Sequence, residues 1–558
     1  LAFNLIDEPW LTLRPVGGGL PVGCSLRQAL READRFEGLV VDLPTQTPAL
    51  LRQLLLPVVL DALGPVKGSG AWQSRFRAGA FTRNEREALD GYLDEHHERF
   101  DLFHPKAPFA QVPGLHTAKD ETKGSALVVV TAATGNNVPL FSSRTEGDPR
   151  PLSPAEAARW LLHTHCWDTA GIKTGAAGDE EHVKGGKTTG NRTGPLGQLG
   201  VVLPLGRTLF DTLLLNLPAT GANPPGDRPQ WRAPAAGPAW EERAAKGLLD
   251  LWTWQSRRIL LIPEDTPQGV RVTHVVVAAG DRLRETPDFE PHTAWRLPPT
   301  AVKPSSKPAS AVRTPLRHQV GKAAWRGLDA LLSLEREDTD AGRTSAGFAT
   351  SVLLDQLREL RAGLPADYPL QVELTGIAYG TQSAIVEELM FDAIPLPLAS
   401  LAPDSPVYEA LIEVTAQAED LAVAVNYLSS DLRHAAGGEP IPWDRGQRPG
   451  ELVLHALDPL VRRLLAGIRR AGEDTGVIEQ GQCAWEQLAR RRAREVADQV
   501  ISAASPSTFA GRTLEQGGRE VTYRLATAEQ GFQRRLGEIL FRAGESARER
   551  AVAEPIGV

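Results

Sequence analysis

From residue 407 onward, the apolar side chains of this 558-residue chain return every third or fourth position, a regularity that restricts the region to packed helices. Leu411, Val414, Ala418, Leu421, Val425, Leu428 and Leu432 make one stripe, and Leu457, Val461, Leu464 and Ile468 a second. Trp485, Ala489, Ala493, Val496 and Val500 make a third, and Leu525, Ala528, Phe532, Leu536, Ile539 and Ala543 a fourth. Amphipathic helices of this kind hide their stripes by facing one another, which predicts a four-helix bundle. Prolines 395, 397, 403 and 406 mark a linker over 395–406. Upstream the pattern is mixed. FNLIDEPWLTL at 3–13 reads as strand, turn and strand, 257–263 and 269–279 read as strands of one sheet, and 240–251 reads as a helix. ALLRQLLLPVVLDAL at 49–63 reads as a buried helix that Pro57 should kink. The expected fold class is α+β, with a large mixed α/β N-terminal domain over 1–394 followed by a C-terminal four-helix bundle over 407–558.

Composition excludes some classes of function. No apolar run approaches the roughly 18 to 20 residues of a membrane span, so a soluble protein is expected. The opening LAFNLIDEPW has neither a basic nor an apolar leader region, and Cys24, Cys166 and Cys483 share no ligand spacing, which together point to the cytoplasm. A net charge of −8, from 61 basic and 69 acidic side chains, argues against indiscriminate nucleic-acid binding. Residues 291–328 depart from that balance: they hold no Asp or Glu, while Arg296, Lys303, Lys307, Arg313, Arg317, Lys322 and Arg326 accumulate among prolines. This segment is either a local polyanion site or a solvated tether.

Residues 168–207 are rich in glycine, with Lys173, Lys184, Lys187 and Arg192 scattered among them. A stretch with so few large apolar side chains is a mobile surface loop or is held by polar groups such as a phosphate backbone. Gly186, Lys187 and Thr188 imitate a phosphate-binding loop, but Glu181 stands where the pattern requires its first glycine. His163, His165 and Cys166 lack a fourth ligand at usable spacing, and Asp94, Glu95, His96, His97 and Glu98 read as the solvated end of a helix. No nucleophile elbow, zinc-protease pair or dinucleotide fingerprint occurs. No catalytic residue, metal or cofactor is therefore expected, and the chain does not read as an enzyme.

FNLIDEPWL at the start, RFDLF followed by PFAQV near residue 100, TWQSRRILL at 253–261 and the helical tail stand in an order that resembles the CasA family. Members of that family are the large subunits of the type I-E CRISPR surveillance complex Cascade. The resemblance implies roles residue by residue. In the loop 136–150, Phe141 would stack on the 5′ handle of the guide RNA with Ser143 as a polar contact, although from its residue type alone Phe141 is equally a core plug. Gly171 and Lys173 fall where the family reads the protospacer-adjacent motif from the minor groove. Arg282 or Arg284 stands near a family lysine that touches the same motif, and both also read as exposed turn arginines. In VELTGIAYGTQSAIVEELM at 372–390, Gln382 matches a glutamine that wedges the duplex open, next to Thr381 where the family often has asparagine; an ordinary hairpin tip is the alternative. Some relatives carry cysteines suited to zinc after the 136–150 loop, but PLSPAEAARWLLHTHC here reads as a capped helix, so no metal is assigned.

The partners implied are double-stranded DNA, the guide RNA, other Cascade subunits including the small subunits, and a helicase-nuclease effector; no membrane is implied. The bundle would dock on the small subunits and guide the displaced strand, with Arg462, Arg463, Arg469, Arg470, Arg490, Arg491, Arg492, Arg494, Arg534, Arg535 and Arg542 as candidate phosphate contacts. Two other classes stay open on the residues alone. A metal-dependent nuclease would need clustered carboxylates, and a purely structural scaffold of a nucleoprotein complex would need none of these site residues.

Overall fold

A computed structural model describes residues 1–132, 134, 151–219, 224–297, 313–333, 347–441, 448–516 and 519–543. It has a mixed α/β architecture with several helices and sheets, divided between two compact units. One comprises 1–322, 333–365 and 370–393; the other comprises 323–332, 366–369 and 394–558.

In the first unit, β1 (Leu11–Pro15) lies between β2 (Val22–Cys24) and β3 (Phe36–Leu39), both antiparallel to it. The strand expected near Phe3 is reduced to a single bridge between Asn4 and Asp101. The Asn4 side chain accepts the Ile6 N–H and Trp10 donates its indole N–H to Leu5, so this segment closes into a turn. The buried helical run 46–63 changes character before its proline. Leu51–Leu55 is a π-helical turn that leads into α1 (Leu56–Leu63), with Pro57 at its start. Pro57 lacks an N–H and crowds the carbonyl four residues earlier, and the widened turn relieves that conflict. α2 (Pro154–Trp167) begins with a capping box in which Ser153 accepts the Glu156 N–H and Glu156 accepts the Ser153 N–H. Its His163, His165 and Cys166 are all core residues.

Two short strands, β4 (Lys173–Thr174) and β5 (Lys187–Thr188), pair with each other inside the glycine-rich stretch. β6 (Val201–Leu205) follows. β7 (Arg257–Thr266) and β8 (Gly269–Ala279) form a long antiparallel hairpin, and β4 adds to β8 in parallel through Thr174 and Ala278. The helix expected over 240–251 is confined to Leu248–Trp252, because Glu242–Arg243 pairs instead with β9 (Arg282–Leu283). β10 (Gln371–Tyr379) lies between β6 and β11 (Val386–Pro395), so residues 380–385 form a connection at the end of that sheet, exposed at Thr381 and Gln382.

In the second unit, Leu398–Leu401 makes a 3-10 turn and Ser405 caps α3 (Pro406–Ala436). α4 (Pro449–Ala471), α5 (Thr475–Ser502) and α6 (Leu525–Ile539) all pack on α3, and α4 also packs on α5. The first stripe is buried throughout. In the second and fourth stripes Leu465 and Leu540 are fully buried where Leu464 and Ile539 are only half-buried, a one-residue offset that periodicity cannot resolve. A hairpin of Arg512–Gln516 and Arg519–Tyr523 intervenes before α6 and was not anticipated.

Candidate nucleic-acid interface

The glycine-rich stretch is held by the protein's own polar groups, and Arg257 does most of the holding. It is 3% exposed at the start of β7. Its guanidinium donates to the carboxylate of Asp168 and to the carbonyls of Asp168 (3.3 Å), Thr169 (2.6 Å) and Arg192 (2.9 Å). Both ends of loop 168–192 are therefore tied to one side chain. Lys173 reaches the same Asp168 oxygen at 2.6 Å. Burial alone would raise the Asp168 carboxyl, but the charges and hydrogen bonds of Lys173 and Arg257 hold it down at about 2. Asn191 donates to the carbonyls of Gly171 and Thr188, both at 3.0 Å, which tightens the loop from within. Gly194 closes it: a Cβ there would stand 2.3 Å from the Cys166 carbonyl, so only glycine lets the chain pass the end of α2.

The 380–385 tip meets this loop. Ala170 donates its N–H to the Ser383 carbonyl at 2.7 Å, and Tyr379 donates its hydroxyl to the Trp167 carbonyl at 2.6 Å. Gln382 and Ser383 have φ of +55° and +52°, the left-handed region that side chains with a Cβ disfavour. Thr381 and Gln382 are exposed, and the Gln382 amide has no hydrogen-bond partner among the described residues. Gly171 faces this tip, since a Cβ on it would lie 3.4 Å from the Ala384 carbonyl, an ordinary contact distance. Its φ is not left-handed either. Packing within the chain thus does not demand a glycine at 171. The neighbouring Ile172 is 63% exposed, and a cavity of about 230 Å³ opens beside them, lined by Val128, Trp167, Ile172, Lys173, Ala384 and Val386.

The 282–284 turn is tied to the loop as well, and its arginines differ. Arg282 stacks on Trp240, 3.7 Å from the ring centroid, and donates to the Thr189 carbonyl at 2.6 Å. It is occupied within the chain. Arg192 crosses from the loop to the Leu283 carbonyl (2.9 Å) and to Glu242 (2.9 Å). Arg284 is exposed and its guanidinium has no partner among the described residues. The structure thus gathers Gly171, Lys173, Arg282, Arg284, Thr381 and Gln382 on one unit, with Lys173 and Arg282 turned to internal partners. Phe141 and Ser143 lie outside the described residues. Asp168, Asn191 and Arg257 were missed by sequence reasoning, and Arg192, singled out as a cation of the stretch, turns out to be one of its internal ties. Arg257 sits in the TWQSRRILL motif, but its partner Asp168 is 89 residues away and no local spacing announces the pair.

The basic segment at 291–328 is largely committed where it is described. Arg313 pairs with Asp288 at 3.1 Å and stacks on Trp295, and Arg317 donates to the Gly197 carbonyl at 3.0 Å. Arg326 belongs to the second unit and pairs with Glu419 and Glu451. His163 bonds Thr45 and His165 bonds the Ala110 carbonyl; burial pushes their imidazoles down to about 3 and about 4, which keeps them neutral. Among the described residues no group of three or more His, Cys, Asp or Glu is placed to hold a metal, and no helix is long and apolar enough to cross a membrane.

Among the helix arginines, Arg542 is taken from the candidate phosphate contacts by Glu413 (2.8 Å) and the fully buried Glu486 (2.9 Å). Arg462 pairs with Asp458, Arg492 with Glu495 and Arg534 with Glu538, Arg494 bonds Gln533, and Arg535 stacks on Tyr427. Arg463, Arg469, Arg470, Arg490 and Arg491 have no acidic partner among the described residues.

The family model for CRISPR-associated protein Cse1 matches residues 4–496. A CRISPR-associated protein CasA/Cse1 of Thermus thermophilus is 28% identical over 565 residues, 96% of this chain and 98% of that protein. The crystal structure of Thermobifida fusca Cse1 superposes with a TM-score of 0.78 at 32% identity, covering 97% of this chain and 99% of that one. Cse1 from Acidimicrobium ferrooxidans gives a TM-score of 0.78 at 30% identity, covering 97% and 98%.

Proposed function

The chain belongs to the CRISPR-associated Cse1 family, and from that premise we propose that it is the non-catalytic large subunit of a type I-E CRISPR RNA-guided DNA surveillance complex. It recognises the protospacer-adjacent motif in double-stranded DNA, opens the duplex to start the R-loop, and helps recruit the helicase-nuclease that degrades the target. The protein reads the short motif while guide pairing reads the rest. The observation that carries this reading is the junction of Gly171 with the Gln382 tip. A glycine that packing does not require lies beside an exposed, unpartnered amide on a left-handed backbone. A bare backbone at Gly171 can enter the narrow minor groove, and the Gln382 amide can replace base hydrogen bonds as it unstacks the adjacent pair.

Arg284 is the arginine of its turn with a guanidinium available to the same duplex, while Lys173 and Arg282 act from behind, through the loop. Thr381 flanks the wedge, and Phe141 and Ser143 meet the 5′ handle of the guide RNA. We further read residues 1–394 as the mixed α/β domain, 395–406 as its linker and 407–558 as a four-helix bundle, supported by the packing of α4, α5 and α6 on α3. That bundle meets the small subunits and the displaced strand, with Arg463, Arg469, Arg470, Arg490 and Arg491 as its available cations.

The test is a gel-shift titration of the reconstituted guide complex on duplexes that are intact or already bubbled beside the motif. Gln382→Ala should weaken binding to intact duplex by at least tenfold and leave the bubbled one within about twofold, as loss of a few kcal/mol of unstacking would require. Equal, wild-type binding to both would remove Gln382 from the wedge role.

A further inference from the structure

The wedge reading leaves open what keeps Gln382 in a disfavoured conformation while the tip is exposed. Two consecutive residues with a Cβ in the left-handed region persist only when the surroundings over-determine them. Inside the tip, Ser383 donates to the Gly380 carbonyl at 2.8 Å and Ala384 to the Thr381 carbonyl at 3.1 Å, bonds that any tight turn makes. The bond that comes from elsewhere is Ala170 N–H to the Ser383 carbonyl. Its geometry depends on where Ala170 stands, and the peptide that carries that N–H is gripped by Arg257 from the Thr169 side. The Thr169 carbonyl accepts from Arg257 directly, and Lys173 is drawn to the Asp168 carboxylate that Arg257 also holds.

We propose that Arg257 is a positioning residue that couples the glycine loop to the Gln382 tip. By gathering the carbonyls of Asp168, Thr169 and Arg192 it fixes the register at which Ala170 meets Ser383, and so holds Gln382 aimed outward before DNA arrives. This rests on the wedge reading of Gln382. The chemistry asks for arginine, because Nε serves the Asp168 carboxylate while Nη2, at the next position of the same plane, is shared among the three carbonyls, whereas a lysine ammonium presents all its donors on one nitrogen. Arg257→Lys therefore keeps the charge beside Asp168 and loses the span.

Two readouts separate the outcomes. In amide hydrogen exchange on the assembled complex, Arg257→Lys should speed exchange at both 168–173 and 380–385; acceleration of 168–173 alone would overturn the coupling whatever the role of Gln382. In the gel shift, Arg257→Lys should weaken intact duplex about tenfold and bubbled duplex less than threefold, and Arg257→Lys with Gln382→Ala should bind intact duplex no worse than Gln382→Ala alone, since residues acting as one unit are not additive. Equal losses on both targets, or effects that multiply in the double variant, would reduce Arg257 to a structural residue. If Gln382→Ala itself binds as wild type, the wedge reading fails while the exchange result still decides the coupling. Should Arg257→Lys not assemble, Asn191→Ala loosens Gly171 while leaving Arg257 and Asp168 in place. It should show the same pattern at about threefold, and wild-type exchange at 380–385 in that variant would overturn the proposal.

Discussion

Loop 168–192 and helix α3 are both long segments held in one conformation, and they are held by opposite means. In α3 the holding groups are Leu411, Val414, Ala418, Leu421, Val425, Leu428 and Leu432, all buried and all at helical spacing. In the loop they are arginine guanidiniums on backbone carbonyls, reached from β7 and β9 across large gaps in sequence. An apolar stripe fixes which face turns inward without fixing any one peptide plane. A guanidinium on three carbonyls fixes individual peptide planes, which is what a backbone that must meet another molecule needs. The difference predicts that damage to the helices will appear as lost stability, and damage to the loop as lost function.

The strongest way to break that comparison is Leu421→Ala. A fully buried leucine replaced in this way should cost about 2 to 5 kcal/mol by chemical denaturation. The ratio of affinities for intact and bubbled duplex should stay at the wild-type value, and a changed ratio would mean the division of labour is false.

Glu373 sharpens the comparison from the other side, because it is a buried carboxyl with no cation beside it among the described residues. It sits in β10, is 6% exposed, and bonds the Thr375 hydroxyl. Burial pushes it up to about 7, whereas Asp168 with its two cations is held at about 2. The folded chain therefore binds the Glu373 proton more tightly than the unfolded chain, and stability falls as pH climbs from about 4 through 7. Glu373→Gln should remove that fall, stabilising the protein on the order of 1 to 3 kcal/mol at pH 8 and leaving it unchanged near pH 4. Parallel melting curves for the two proteins across that range would show that Glu373 does not carry the burden.

The smallest effect is the most pointed. Gln382→Gly places the residue best suited to φ near +55° at the tip, and should stabilise the chain by about 1 kcal/mol while abolishing the preference that the wedge confers on intact duplex. A variant that loses stability there would show that the left-handed backbone is not strained.

Much of the fold was legible in order along the chain. The capping box at Ser153 and Glu156, the hairpin of β7 and β8 and the stripes of α3 to α6 all depend on neighbours within a few residues, so spacing reports them. The helix expected over 240–251 failed because a non-local pairing with β9 won over local periodicity. The site was legible only as a set of places. Spacing and resemblance named Gly171, Arg284 and Gln382, which packing within the chain leaves available to a partner, but the same signals also named Lys173 and Arg282, whose side chains turn to Asp168 and Trp240.

The sequence by itself determined where the four helices after residue 405 run and which of their faces avoid water, and it carries no catalytic or nucleotide-binding motif of a recognisable kind. Only the tertiary structure decided which cations are available to a partner and which are held within the chain. The physical reason is range. Periodicity and capping act across one or two turns, whereas a charge is claimed by whatever carboxylate or carbonyl the fold brings within about 3 Å of it, and for Arg257 that group lies 89 residues away.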